Sequence, residues 1–162
     1  MIVKIISGGQ TGVDVAALRA AHALGIPTGG IMPKGWRTID GPRPEYARLY
    51  GMTESPFVDY QRRTFANAGS AHATLRIAFD WNSAGELCTL RAVHAAGQWP
   101  FDIGLDNDLC ANAARVTAAV AWIRERGPGL ILNVAGNIEQ TVRGIEAAAE
   151  LILRDIFARC SA

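Results

Sequence analysis

The sequence predicts an α/β fold: a Rossmann-like, doubly wound sheet of about five mainly parallel strands with helices on both faces. Three observations predict it. Short apolar runs recur along the 162 residues, apolar stripes at helical spacing fill the intervals between them, and glycine or proline turns separate one from the next. Strands that alternate with helices pair in parallel, because the helix returns the chain to the same edge.

The strand candidates are Ile2–Ile6, Thr28–Met32, Thr74–Phe79, Phe101–Leu105 and Leu130–Val134. After the first, Val13, Ala17, Ala20 and Leu24 recur at helical spacing until Gly25-Ile26-Pro27 stops the helix. The interval 33–56 breaks the rhythm, with four prolines, three glycines and no clear period. It predicts one long loop, ordered as a lid near the ligand because Trp36, Tyr46 and Tyr50 need something to cover. A helix is predicted over 58–68, and Gly97 with Pro100 ends another. Val116, Val120 and Ile123 mark a further helix, closed by Gly127-Pro128-Gly129, and Val142, Ile145, Ala149, Ile152 and Ile156 mark the last. At this length the whole chain, 1–162, reads as a single domain.

An apolar fraction of 49% and a formal charge of +1 fit a soluble globular protein and disfavour nucleic acid as a partner. Cys88, Cys110 and Cys160 are an odd count with no CxxC, which points to a reducing cytoplasm without disulfides. Cys88 and Cys110 read as small buried hydrophobes. His22, His72 and His94 lack ligand spacing, so no protein-held metal is expected. No basic and apolar leader precedes Ser7 and no apolar run is long enough to span a bilayer, so no membrane partner is expected.

Chemistry concentrates where the first strand breaks into Ser7-Gly8-Gly9-Gln10-Thr11-Gly12-Val13-Asp14. A strand, a glycine turn and a helix start converge backbone N–H groups and the positive end of a helix dipole on one point, where a phosphate would be held. Gly8 and Gly9 can adopt positive φ and let a ligand approach, while Gly12 removes a side chain near the helix start. Ser7 and Thr11 add hydroxyl donors. Asp14 is either a helix-start acid or a ligand contact. The spacing is neither GxGxxG nor GxxxxGK[ST], which sets aside a standard dinucleotide fingerprint and a Walker loop. Lys34 and Arg37, flanking Gly35 and Trp36, are candidate phosphate partners. Of the adjacent Arg62 and Arg63 only one can face inward, since neighbours on a helix point about 100° apart.

Four segments together resemble the molybdenum cofactor carrier protein family, within the lysine-decarboxylase-like Rossmann folds. The opening Ser7 to Asp14 with Ala16-Ala17-Leu18 is similar to that family's first loop and helix. Pro33-Lys34-Gly35 with Asp40-Gly41-Pro42, Tyr60-Gln61-Arg62-Arg63-Thr64 with Asn67, and Leu132-Asn133-Val134-Ala135-Gly136 resemble three further blocks. Departures occur at Ser83-Ala84-Gly85-Glu86, where Glu86 replaces a hydroxyl residue, at Asn137, where proline is common, and at Val15, where a basic residue is common.

The resemblance implies a carrier that binds molybdenum cofactor (molybdopterin), a pterin with a phosphate-bearing arm, for storage or delivery to a molybdoenzyme recipient. It carries the binding role to Ser7, Gly8, Gly9, Gln10, Thr11 and Gly12. It also carries it to Lys34, Gly35 and Arg37, to Arg63 and Thr64, to Ser83 and Gly85, and to Gly136 and Thr141. Distant relatives hydrolyse cytokinin nucleotides, so an alternative is a nucleoside 5'-monophosphate phosphoribohydrolase. Its acid candidate is Glu86, with Asp80 and Asp14 behind it. A second alternative is a nucleotide-sensing regulatory module. The alanine-rich stretch from Asn112 to Ile123 could pack between subunits, giving a homo-oligomer. In an open parallel sheet the ligand lies beyond the carboxyl ends of the strands, so Ser7–Thr11, Pro33–Arg37, Asn82–Gly85 and Ala135–Thr141 are expected to converge on one crevice.

Overall fold

The computed structural model describes residues 1–106 and 109–161 and, within them, leaves the side chains of Leu109 and Cys110 aside. The burial expected of Cys110 therefore lies outside the described residues. In chain order the elements begin with β1 (Ile2–Ile6), α1 (Val13–Ala23), β2 (Thr28–Met32), β3 (Arg37–Thr38) and β4 (Gly41–Pro42). Next come α2 (Tyr46–Tyr50), β5 (Met52–Glu54), α3 (Tyr60–Gly69), β6 (Ala73–Ala78) and α4 (Ala84–Ala95). The chain continues through β7 (Phe101–Gly104), α5 (Leu109–Arg124), β8 (Leu130–Gly136) and α6 (Ile145–Ser161).

Six strands form one sheet in the order β5-β2-β1-β8-β6-β7, and every pairing in it is parallel. The architecture is the Rossmann-like α/β arrangement that the alternating pattern predicts. All five apolar runs are strands. The sixth strand, β5, falls inside the segment expected to be one long loop, and pairs with β2 through Gly30 and Met52. It spans three residues, of which only Met52 is buried, too short for any alternation to show. The same segment also holds the antiparallel hairpin β3–β4 and the helix α2, so 33–56 is not a loop throughout. Trp36, Tyr46 and Tyr50 cover Leu18, Met32 and Met52, which is the contact their composition called for.

Alternation along the strands divides the sheet into two chemically different faces. Leu75, Ile77, Leu132 and Val134 point toward α1, α5 and α6, where Ala17, Val120, Ile156 and Phe157 complete the main core. The alanines of α1 let that helix come close to its neighbours: Ala16, Ala17, Ala20 and Ala21 are all fully buried. The opposite face, under α3 and α4, carries Thr74, Arg76 and Asn133, each buried and polar. A satellite of Ala68, Ala92 and Val93 with Phe65 joins α3 to α4 above it. That polar face is where side-chain chemistry accumulates.

Candidate functional site

A cavity of about 450 Å³ lies beyond the carboxyl ends of β1, β8 and β6, between α3 and α4. The chain runs to β2 on one side of β1 and to β8 and β6 on the other, so this is the position where strand order reverses. Gly8, Gln10 and Asp14 line it from the first loop and helix. Tyr60, Arg63, Thr64 and Asn67 come from α3, and Ala84, Gly85, Cys88 and Thr89 from α4. Asn133, Ala135, Gly136 and Ile138 come from β8 and the turn after it, and Ile39 from the hairpin tip. Three of the four expected loops thus meet. The fourth, Pro33–Arg37, does not: Lys34 and Arg37 are exposed and lie outside the lining, and the Gly35 N–H is taken by Glu54.

The start of α1 departs from expectation in its chemistry. The Gln10 N–H donates to Asp14 Oδ2 at 3.2 Å, the Thr11 N–H to Gln10 Oε1 at 3.0 Å and the Gly12 N–H to Glu146 Oε2 at 3.0 Å. The Val13 N–H donates to the Asn137 carbonyl at 3.1 Å and the Ser7 N–H to the Gly29 carbonyl at 3.2 Å. The amides expected to form an anion cup are therefore held by the protein's own acceptors, two of them carboxylates. Within this loop, the Gly8 and Gly9 N–H groups alone have no hydrogen bond among the described residues. The Ser7 and Thr11 hydroxyls are likewise committed, to the Val134 carbonyl at 2.9 Å and to Gln140 Oε1 at 2.7 Å.

The loop glycines answer to packing. A Cβ on Gly8 would lie 1.3 Å from Arg63 Nη1, so the guanidinium rests directly on this residue. A Cβ on Gly9, at φ +68°, would meet Met32 and Met52, and a Cβ on Gly12 would meet the Asn137 carbonyl oxygen at 2.3 Å.

The start of α4 is different. Ser83 caps it, with its hydroxyl accepting from the Glu86 N–H at 3.3 Å and its carbonyl from the Leu87 N–H. No acceptor among the described residues takes the Ala84 or Gly85 N–H, and both residues are exposed and line the cavity. Nothing lies within 4 Å of where a Gly85 Cβ would be. A twelve-residue helix thus directs two open donors and its positive dipole end into the space.

Among the described residues Arg63 is the one cation lining the cavity. Its side chain is 12% exposed, Nη1 donates to Asp14 Oδ2 at 3.2 Å, and Nε is buried without a hydrogen-bond partner. Arg62, one step around α3, is 59% exposed and pairs with Asp59, which resolves the choice between the two. Asp14 is buried, and burial raises its carboxyl above the ordinary range while Arg63 and the Gln10 N–H pull the other way. The Thr64 hydroxyl lines the cavity and donates to the Tyr60 carbonyl at 2.8 Å. Thr141 is exposed in the turn after β8 and outside the lining.

Glu86 turns away from the cavity. Burial pushes its carboxyl up to about 7, against the attraction of Arg76, and Oε2 has no hydrogen bond although Arg76 Nη1 is 3.6 Å away. Arg76 itself is held by Asp102, through Nε at 2.8 Å and through Nη2. The first acid candidate for hydrolysis is thus buried with Arg76 outside the cavity lining, in an ionic cluster whose third member, Asp102, is exposed.

Several side chains organise this end of the sheet in ways the sequence did not show. Asn67 accepts from the Ile31 N–H at 2.8 Å and donates to the Ser7 and Ile31 carbonyls, pinning α3 to two strands. Asn137 accepts from the Phe79 and Asp80 N–H groups and donates to the Asp80 carbonyl, which fixes the turn after β6. Gln10 Oε1 also takes the Ile39 N–H at 2.9 Å, and Gln140 donates to Asp40 at 2.6 Å, so the β3–β4 hairpin is strapped over the glycine loop. Each is a single Asn or Gln whose partners lie far away in sequence, which leaves no local pattern to read.

Fold and cavity together define a Rossmann-like α/β protein with a pocket at the strand-order switch point. The model of the circularly permutated YpsA SLOG family matches residues 5–157, and the chain belongs to that family. Among curated proteins no sequence matches it. The crystal structure at 1.45 Å resolution named "Putative molybdenum carrier protein", from Syntrophus aciditrophicus SB, aligns with a TM-score of 0.84 at 31% sequence identity. That alignment covers 99% of this chain and 96% of that one.

Proposed function

We propose that this chain is a molybdenum cofactor carrier that binds a phosphate-bearing pterin in the cavity for storage or delivery. The observation that carries the reading is the open start of α4 together with Arg63: two unclaimed N–H donors and a guanidinium-bearing side chain border one space of about 450 Å³. Phosphate is held there by backbone donors and dipole, with Arg63 as its charge partner. The likeness to a structure named as a molybdenum carrier supports the cargo. The cargo brings its own metal, and no group of three His, Cys, Asp or Glu among the described residues is placed to hold one.

Binding is favoured over N-glycosidic hydrolysis because Glu86, the first acid candidate, is buried beside Arg76 and does not line the cavity. In this reading the protein acts in the cytoplasm as a homo-oligomer and passes its cargo to a molybdoenzyme. No helix among the described residues is long and apolar enough to cross a membrane. Mass spectrometry of the gently isolated protein, with elemental analysis for molybdenum, tests the reading. A pterin mass with stoichiometric molybdenum is expected, whereas sustained release of free base from nucleoside monophosphates would replace carrier with hydrolase.

A further inference from the structure

The sheet side of the cavity carries a second set of unclaimed polar atoms, and hydrogen-bond logic fixes what each one is. Gln98 Nε2 donates to the Ala68 and Ala71 carbonyls, so its Oε1 is an acceptor and takes the Thr74 hydroxyl at 3.4 Å. Thr74 Oγ1, having donated, accepts from Asn133 Nδ2 at 3.3 Å. Asn133 is therefore oriented with Oδ1 as an acceptor, and no described residue donates to it. Gln10 is fixed in the opposite sense. Its Oε1 accepts from the Thr11 and Ile39 N–H groups, leaving Nε2 as a donor with no acceptor among the described residues.

Both side chains line the cavity and are more than nine-tenths buried, Gln10 at 7% and Asn133 at 4% exposure. Neither free atom is fully enclosed by the protein, and both residues border the cavity. Asp14, also lining, adds a carboxylate with acceptor capacity beyond its bonds to Gln10 and Arg63. Ile39, Ala135 and Ile138 supply apolar wall. Buried polar atoms oriented by their own neighbours and left unpaired mark a complementary ligand.

The geometry points to recognition of a planar lactam through its 2-amino-4-oxo edge, with the ring carbonyl accepting from Gln10 Nε2 and the ring N–H and amino donors meeting Asn133 Oδ1 and Asp14. This rests on the carrier reading and deepens it: the ring enters against the sheet and the phosphate lies outward, at the start of α4. That reverses the placement the glycine loop suggested. Pterin and guanine share the edge, so the recognised chemistry is the edge, and the ring system is settled by comparing the two.

The test is equilibrium binding to the intact chain of 6-hydroxymethylpterin and guanosine, which carry the edge, against lumazine and xanthosine, which lack the 2-amino group. Binding at least tenfold tighter for either edge-bearing compound over its partner is expected, and the member of the pair that binds identifies the ring. Asn133→Leu should weaken that binding tenfold or more, with thermal melting to show that the variant folds. Equal binding with and without the 2-amino group overturns the proposal even if Asn133→Leu misfolds. Neopterin monophosphate separates the two levels. If it binds and is indifferent to Asn133→Leu, the ring placement falls while the carrier reading stands. If no pterin binds, with or without phosphate, both fall.

Discussion

Two helix starts face the same cavity, and they handle their exposed amides in opposite ways. At α1 the amides of residues 10 to 13 are taken by Asp14, Gln10, Glu146 and Asn137, those of Gly8 and Gly9 further back in the loop stay unclaimed among the described residues, and glycine there serves close packing. At α4 only Ser83 intervenes, and two N–H groups are left to the cavity. A glycine-rich loop leading into a helix is thus not in itself an anion site. What decides is whether the protein supplies its own acceptors, and at α1 two of the four, Glu146 and Asn137, come from distant parts of the chain, Glu146 lying 134 residues from Gly12.

Substituting the two starts should separate them sharply. The largest effect is expected for Gly12→Ala, where φ is +83° and the new Cβ would sit 2.3 Å from a backbone oxygen. A loss of about 3 kcal/mol or more in chemical denaturation follows. An unchanged midpoint would mean that α1 can shift away from the turn after β8.

Next comes Glu86, whose folded carboxyl titrates near 7 against an ordinary 4.5. Because the raised value means that the folded chain binds more protons than the unfolded one, stability should fall as pH rises from about 4.5 through 7, by up to about 3 kcal/mol. Glu86→Gln should remove most of that slope in a series of denaturant midpoints. Asp14, also raised, leaves a residual slope of the same sign.

Glu146→Ala frees the Gly12 N–H and breaks the bond to Arg19, and should cost about 1–2 kcal/mol. Gly85→Ala, the counterpart at the open start, should be neutral or stabilise by less than about 1 kcal/mol, since nothing lies near its Cβ. It should nonetheless weaken phosphate-bearing ligands, because the methyl enters the cavity. Titration of inorganic phosphate against both proteins checks this, and equal affinity would move the anion away from α4.

Five of six strands were legible because each is a run of apolar residues long enough to stand out. Met52–Glu54 was not, since a three-residue edge strand with one buried side chain has no periodicity. Arg63 could be chosen over Arg62 from the helix and the resemblance, and the structure turns it inward. The sealing of α1 was illegible for a different reason. Glu146 looks like any helix-start acid, and only the fold brings it to Gly12. Lys34 and Arg37 read as phosphate partners by charge and loop composition, yet the hairpin carries them past the cavity and delivers Ile39 instead.

The place of β8 has a consequence for how the chain is made. It lies between β1 and β6, so the β1–β2–β5 and β6–β7 portions share no strand pairing until residues 130–136 have been synthesised. Until then each nascent half presents an open β edge to the cell. A ribosome that stalls in α5 therefore leaves two separate half-sheets and no pocket, and chaperone demand should concentrate in that interval of translation.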